Sequence, residues 1–391
     1  MITFEQAFEI VMRSARPLET ESVDIHGSLG RVLANNVVAD MDMPPFNKAA
    51  VDGYACRRED LGNELAIIET IPAGRSPQRA IGKGQCAKIM TGSPVPEGAD
   101  CVVMVEYTQN PAKETMRFAG STTSDNICRK GEDIQAGRKV LSKGTLVSPA
   151  HIAVLASLGC AKPLVYTRPK VGIIATGDEL VEPDRKPADS QIRNSNSSQL
   201  MAQAMRMHVL PHYYGIAGDT ENALESILNQ ASRQMNVLIF SGGVSAGDYD
   251  LVIPTLKKNG FNIVFDSIAV KPGKPTVFGM KENVFCFGLP GNPVSTYLIF
   301  ELLVKPFLYK MMGHDMVIHE ISTRLGKSIH RRQTDRKSFI PVAFEDEGKV
   351  VPVEFHGSAN IGALCHADGV LSVPVGISEI KEGSLVDVRL I

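Results

Sequence analysis

Four short segments gather acids, glycines, hydroxyls and lysines at spacings that suit chemistry on anions. The first is TGDEL, Thr176 to Leu180, directly after the apolar run VGIIA. Asp178 and Glu179 there put two carboxylates at a strand end, a Mg²⁺ or polar-ligand contact, since Mg²⁺ takes carboxylate oxygens beside phosphate. The plain alternative is a solvated acidic turn. The second is SGGVSAGDYD, Ser241 to Asp250. Gly242 and Gly243 let the backbone approach a ligand and expose amide donors. Ser245 adds a hydroxyl, and Asp248 and Asp250 lead into the next helix, where a simple N-cap role is the alternative. The third is GLPGNPVS, Gly288 to Ser295. Pro293 suits the first turn of a helix, and helix starts attract anions through free amides and the dipole. The fourth is KPGKP, Lys271 to Pro275, two lysines in a proline-stiffened turn that reads as an oxyanion site rather than a solvated basic turn.

These segments need a scaffold that sets them side by side. VGIIAT and VLIFSGG are short, apolar and β-branched, as strands buried on both faces are. From Pro169 they alternate with helices near 195–207, 221–233 and 251–258, and further strands fall near 263–270 and 284–287 before a long helix from Pro293. Such alternation predicts a largely parallel sheet covered on both faces, with ligands outside the carboxyl ends of its strands. Upstream, Thr3 and Gln6 can form a capping box over Ala7, Ile10 and Val11, Pro17 ends that helix, and Ser28 is placed to cap a second short one. Short apolar runs between Gly and Pro from about 60 to 147 predict a β-rich domain. Ser148, Pro149 and Gly159 bracket another helix. The last stretch, from about 317, returns to short strands and turns.

Composition bounds the class. The 391 residues exceed one ordinary core, with 43% hydrophobic and 21% charged residues, a globular mix. Lys and Arg number 41 against 43 Asp and Glu, for a net charge of −2, which argues against a bulk nucleic-acid binder. Seven scattered cysteines without a CxxC pair read as reduced thiols. Glu5 and Glu9 stand where a leader would need apolar residues, and Glu301 and Lys305 interrupt the most apolar helix. A cytoplasmic protein without membrane contact is expected. Three lookalikes fail. Pro211 separates His208 from His212, Ile321 fills the leading glycine position of a P-loop ending in Gly326, Lys327 and Ser328, and Gly82 and Gly84 follow no buried parallel strand.

Taken in order, the segments resemble the MoeA family of molybdenum-cofactor biosynthesis, related to the E domains of gephyrin and plant Cnx1. PPFNKAAVDGYA is similar to the family's P-x-SAMDGYA segment, and IMTGSPVPEGAD, NICRKGEDI, TGDEL, SGGVSAGDYD, KPGKP, GLPGNPVS, DRKSFIPV and GSAN follow. One motif departs: Ala49 and Val51 stand where the family has serine and methionine, while Asp52 is kept. The resemblance implies a multidomain α/β plus β fold. Its parts are a helical linker domain (1–45 and 145–168), a β-rich inserted domain (46–144), a MogA-like α/β pterin-binding domain with a mostly parallel sheet (169–315) and a C-terminal β-barrel (316–391).

It further implies a molybdenumtransferase that inserts molybdenum into adenylylated molybdopterin, with Mg²⁺-dependent cleavage of the adenylate to give molybdenum cofactor and AMP. Molybdate and adenylylated molybdopterin are then substrates and Mg²⁺ the cofactor. Asp52, Thr91, Glu179, Asp219 and Asp250 carry over as catalytic. Gly242, Gly243, Ser245, Lys271, Lys274, Ser295, Arg336 and Ser358 carry over as substrate-binding, and Asp178, Glu179, Asp248 and Asp250 as metal-binding. A homodimer is implied, with Asp52 and Thr91 facing the partner's α/β domain, as are contacts with the upstream molybdopterin adenylyltransferase and downstream molybdoenzyme maturation factors. The alternatives are that adenylyltransferase activity itself, which would need only the α/β segment, and a gephyrin-like scaffold.

Overall fold

The N-terminal helix forms where its cap predicts. Thr3 accepts from the Gln6 amide and Gln6 accepts from the Thr3 amide, closing a capping box on helix Phe4–Ser14. Ala7 and Val11, four apart on one face, are fully buried. No helix starts at Ser28. That residue ends a single 3₁₀ turn, His26–Ser28, and its buried hydroxyl donates back to Ile25 O at 2.5 Å, so it closes this turn and the chain goes on extended at Leu29.

The computed structural model describes residues 1–244, 250–345, 348–353 and 360–391. It divides into two compact units, one of Met1–Ala34, Gly144–Pro149 and Pro163–Ile391, the other of Asn35–Lys143 and Ala150–Lys162. The second unit holds a six-stranded sheet in the order Cys101–Met104, Gly53–Cys56, Gln85–Ile89, Glu64–Ile71, Thr115–Phe118 and Thr108–Gln109. Helix Pro149–Ser157 stops before Gly159, whose φ of +67° only glycine adopts easily.

The first unit is built on another six-stranded sheet, in the order His212–Ala217, Val171–Thr176, Val237–Ser241, Val284–Leu289, Val277–Lys281 and Asn262–Phe265. The first four strands are parallel, Val277–Lys281 runs antiparallel to them, and Asn262–Phe265 pairs antiparallel with Val277–Lys281. Every residue of Val171–Thr176 is buried. Ile173 packs into the cluster holding Leu200 and Leu298, while Ile174 packs on the other face with Leu224 and Leu256. Helices therefore cover both faces, which is why these strands carry no polar alternation.

Two expectations change here. The strand expected near 263–270 is two: Asn262–Phe265 stays in this sheet, while Val270–Lys271 pairs with Lys337–Phe344 of the next one. Strand Val277–Lys281, which the sequence reading passed over, joins Val284–Leu289 through a tight turn with Glu282 at φ +54°. Glu-Asn lacks the usual Asn-Gly signal for such a turn.

The helix from Pro293 runs through one π turn, Phe300–Val304, into Lys305–Met311. Glu301 and Lys305 do not break it. They pair with each other at 2.6 Å, and Gln203 donates to Glu301 at 2.8 Å, so a charge at 2% exposure is satisfied. The C-terminal strands Lys337–Phe344, Gly369–Val373, Leu385–Leu390 and Glu320–Arg324 follow one another in a sheet, with Val350–Pro352 on Lys337–Phe344. A bridge from Leu325 to Val350 closes this path into a small barrel around Val342, Leu371 and Val388. Among the described residues no helix is long and apolar enough to cross a membrane.

Candidate active site

A cavity of about 480 Å³ opens at the carboxyl ends of the parallel strands. Three of the four segments meet there, represented by Thr176, Gly177 and Glu179, by Ser241 to Val244 with Asp250, and by Pro290 to Pro293, while the fourth contributes Pro275. Their close approach explains the glycine pair. Gly242 and Gly243 have φ of +91° and +64°, and a Cβ on them would lie 2.8 Å from Thr176 O and 2.7 Å from Thr176 Oγ1. No larger residue fits without moving the first loop away from the second.

The cavity's remaining wall was not read from the sequence. It is the start of helix Ser195–Arg206, with Arg193, Asn194, Ser195 and Asn196 on the lining. Asn196 Nδ2 donates to Ser241 Oγ at 2.9 Å and to Gly291 O at 2.7 Å, tying this helix to the second and third segments. Asn194 caps the helix by accepting from the Ser197 amide at 3.1 Å. Its Nδ2 meets Tyr213 Oη at 2.7 Å, and that hydroxyl donates to Glu182 at 2.8 Å. Burial, with Glu182 alongside, pushes the Tyr213 phenol up to about 12, so it stays a donor at neutral pH. In sequence, RNSNSS reads as an ordinary polar cap, and only the run after Ile192 hints at a helix start. Arg193 is the sole cation among the described lining residues, and its Nε is fixed on Arg185 O at 3.1 Å.

Of the residues carried over, Glu179, Asp219, Asp250, Gly242 and Gly243 line this cavity. Asp178 does not; its carboxylate accepts the Asp219 amide at 3.0 Å. Ser295 is buried in the first turn of the helix from Pro293. Lys271 and Lys274 are exposed on their turn and are not on the lining. Arg336 lies beside them, its Nη1 3.4 Å from Val270 O, because Val270 and Lys271 pair with Lys337 and Ser338. Asp52 and Thr91 are brought together in the other unit. The Thr91 amide and hydroxyl both donate to Asp52 Oδ1 at 2.7 Å, and these two bonds hold the carboxyl below its ordinary value. Ser245, Asp248 and Ser358 lie outside the described residues. Gly243 to Gly247 also spells Gly-x-Ser-x-Gly, a hydrolase-like pattern, but no histidine is among the described residues lining the cavity.

Glu179, Asp219 and Asp250 are hard oxygen donors of the kind Mg²⁺ takes. Among the described residues no group of three or more His, Cys, Asp or Glu could hold a metal ion on its own. Mg²⁺ usually keeps several waters and needs only one or two carboxylates beside substrate phosphate, so the donor set fits.

Comparison with known proteins agrees along the whole length. Residues 2–159 match the MoeA N-terminal region (domain I and II), 172–310 a probable molybdopterin binding domain, and 323–391 the MoeA C-terminal region (domain IV). A Bacillus subtilis protein named molybdopterin molybdenumtransferase is 34% identical, over 100% of this chain and 94% of its own. A Staphylococcus aureus protein of the same name is 31% identical, over 100% and 95%. The crystal structure of a molybdopterin biosynthesis MoeA protein from Pyrococcus horikoshii superimposes with a TM-score of 0.86 at 30% identity, covering 100% of both chains. With three successive regions matched and full-length relatives above 30% identity, the chain belongs to the MoeA family.

Proposed function

We propose that the protein is a molybdopterin molybdenumtransferase of molybdenum-cofactor biosynthesis, taking adenylylated molybdopterin and molybdate and releasing molybdenum cofactor and AMP. The observation that carries this reading is the cavity itself. It combines three carboxylates, Gly242 and Gly243, a helix start and Arg193 at the strand ends of a family-matched molybdopterin-binding region. The namesake relatives support the same activity.

Two groups of residues divide the work. Arg193 and the amides at the start of helix Ser195–Arg206 receive phosphate oxygens. Glu179 and Asp250 would hold Mg²⁺, which when bound supplies positive charge beside the phosphate oxygens. Asp219 orients a water at the phosphorus of the adenylate and accepts its proton as the oxygen adds. The anhydride bond then breaks and AMP leaves, with the pterin phosphate remaining. Lys271, Lys274 and Arg336 gather the molybdate dianion, each offering donors and no acceptor. No protein thiol is required, because the pterin dithiolene supplies the sulfurs. The Asp52–Thr91 pair acts from the partner chain of a cytoplasmic homodimer. The test is to combine the protein with adenylylated molybdopterin, Mg²⁺ and molybdate. Molybdate-dependent AMP release with active cofactor supports the reading, whereas no AMP release here, with pyrophosphate released in a parallel assay on ATP and molybdopterin, would replace it with adenylyl transfer.

A further inference from the structure

The loops after two neighbouring parallel strands carry the same dipeptide. Gly177-Asp178 follows Val171–Thr176, and Gly218-Asp219 follows His212–Ala217. Thr176 is the register partner of Ala217, so the two dipeptides leave the sheet side by side. Three hydrogen bonds join them. The Gly177 amide donates to Ala217 O at 3.4 Å. The Asp178 amide donates to Asp219 Oδ2 at 3.2 Å, and the Asp219 amide donates to Asp178 Oδ1 at 3.0 Å. Each carboxylate thus accepts the other's backbone amide, and charge-assisted bonds of this type offset the repulsion between the two acids.

The glycines make the crossing possible. A Cβ at Gly218 would lie 3.3 Å from Asp178 Oδ1, and Gly177 has φ +138° with a Cβ position 2.4 Å from Glu179 Oε2. Only one of the two aspartates faces the cavity: Asp219 lines it and Asp178 does not.

We infer that Asp178 is a positioning residue rather than a metal ligand: it clamps the loop of Asp219 through that loop's backbone amide. Asp219 Oδ2 is in turn held by the Asp178 amide, which leaves Oδ1 for a ligand. The consequence for turnover rests on the proposed molybdenum transfer, whereas the clamp itself is judged without substrate.

The experiment compares Asp178→Asn, which keeps an acceptor oxygen and removes the charge, with Asp178→Ala, which removes both. Amide exchange over 214–224 is measured on the substrate-free protein, with thermal melts as a check on folding. Asp178→Ala speeds exchange at Asp219 about 10–100-fold, the range for losing a hydrogen bond to a charged group, and Asp178→Asn restores most of the protection. In turnover, Asp178→Ala lowers kcat for AMP release by up to about 10²-fold through misplacement with little change in KM, and Asp178→Asn recovers it. The Mn²⁺ concentration that gives half-maximal AMP release is unchanged in Asp178→Asn. Three results overturn the inference: unaltered exchange in Asp178→Ala, full activity of Asp178→Ala, or a raised Mn²⁺ requirement together with lost activity in Asp178→Asn. The last would make the carboxylate a ligand. If Asp178→Ala does not fold, Asp178→Ser, too short to span to the Asp219 amide, carries the same comparison. A wild-type protein that releases no AMP would sink the proposed function while the exchange comparison still decides the clamp.

Discussion

Thr91 holds Asp52 through two hydrogen bonds to one carboxylate oxygen. Two donors from one residue hold its carboxyl below the usual 3.8, the backbone bond contributing most. A depressed carboxyl keeps its stabilising bonds above the unfolded value and loses them as pH falls through the folded one. Thr91→Val removes the hydroxyl donor and keeps the amide. The acid limb of the pH–rate profile should then move up toward the ordinary carboxylate range; an unmoved limb would separate Asp52 from turnover. Lys271 and Lys274 are exposed, so Lys271→Ala and Lys274→Ala should leave melting unchanged while raising the molybdate concentration needed for half-maximal rate. Wild-type molybdate affinity by calorimetry would assign them to the phosphates instead. Sequence order could not tell Asp178 from Glu179. Both lie in the turn that follows Val171–Thr176, where Glu179 reaches the cavity and Asp178 turns to Asp219. Which of the two faced inward was not legible before the sheet was built.

At the scale of elements, Asn196 is the residue on which three pieces of the cavity depend. Its amide group bridges helix Ser195–Arg206 to Ser241 and to the Gly291 carbonyl. Asn196→Ala leaves that carbonyl without this donor and should cost about 1–3 kcal/mol in denaturant unfolding, with a fall in kcat that exceeds any change in molybdate affinity. A neutral substitution would mean the loops are held without it. The parallel strands were legible because burial on both faces leaves a uniform apolar signature, as in VGIIAT. Val277–Lys281 was not, since its hairpin turn holds Glu-Asn and the preceding KPGKP reads as loop. Glu301 and Lys305 were legible as too much charge for a membrane span, and no described helix is long and apolar enough for one; that the two charges meet each other four residues apart inside the core was not legible.

At the scale of the molecule, the proposed catalytic residues divide between two units, with Glu179, Asp219 and Asp250 in one and Asp52 and Thr91 in the other. The proposed homodimer completes each site with a partner's Asp52 pair. Mixing Asp52→Asn chains with Glu179→Gln chains should therefore restore about a quarter of wild-type activity, since half of randomly paired twofold dimers then hold one intact site. No recovery after exchange, verified by mass, would place both groups in one chain. Cleavage of the adenylate in this cavity during metal insertion is measured directly as AMP released per adenylylated molybdopterin in the presence of Mg²⁺. The predicted result is one AMP per cofactor formed, dependent on molybdate, and slowed about 10²–10³-fold in Asp250→Ala, the usual loss for one preorganised charge contact at a reacting group. AMP release by Asp250→Ala at the wild-type rate, or cofactor formation without AMP, would contradict it.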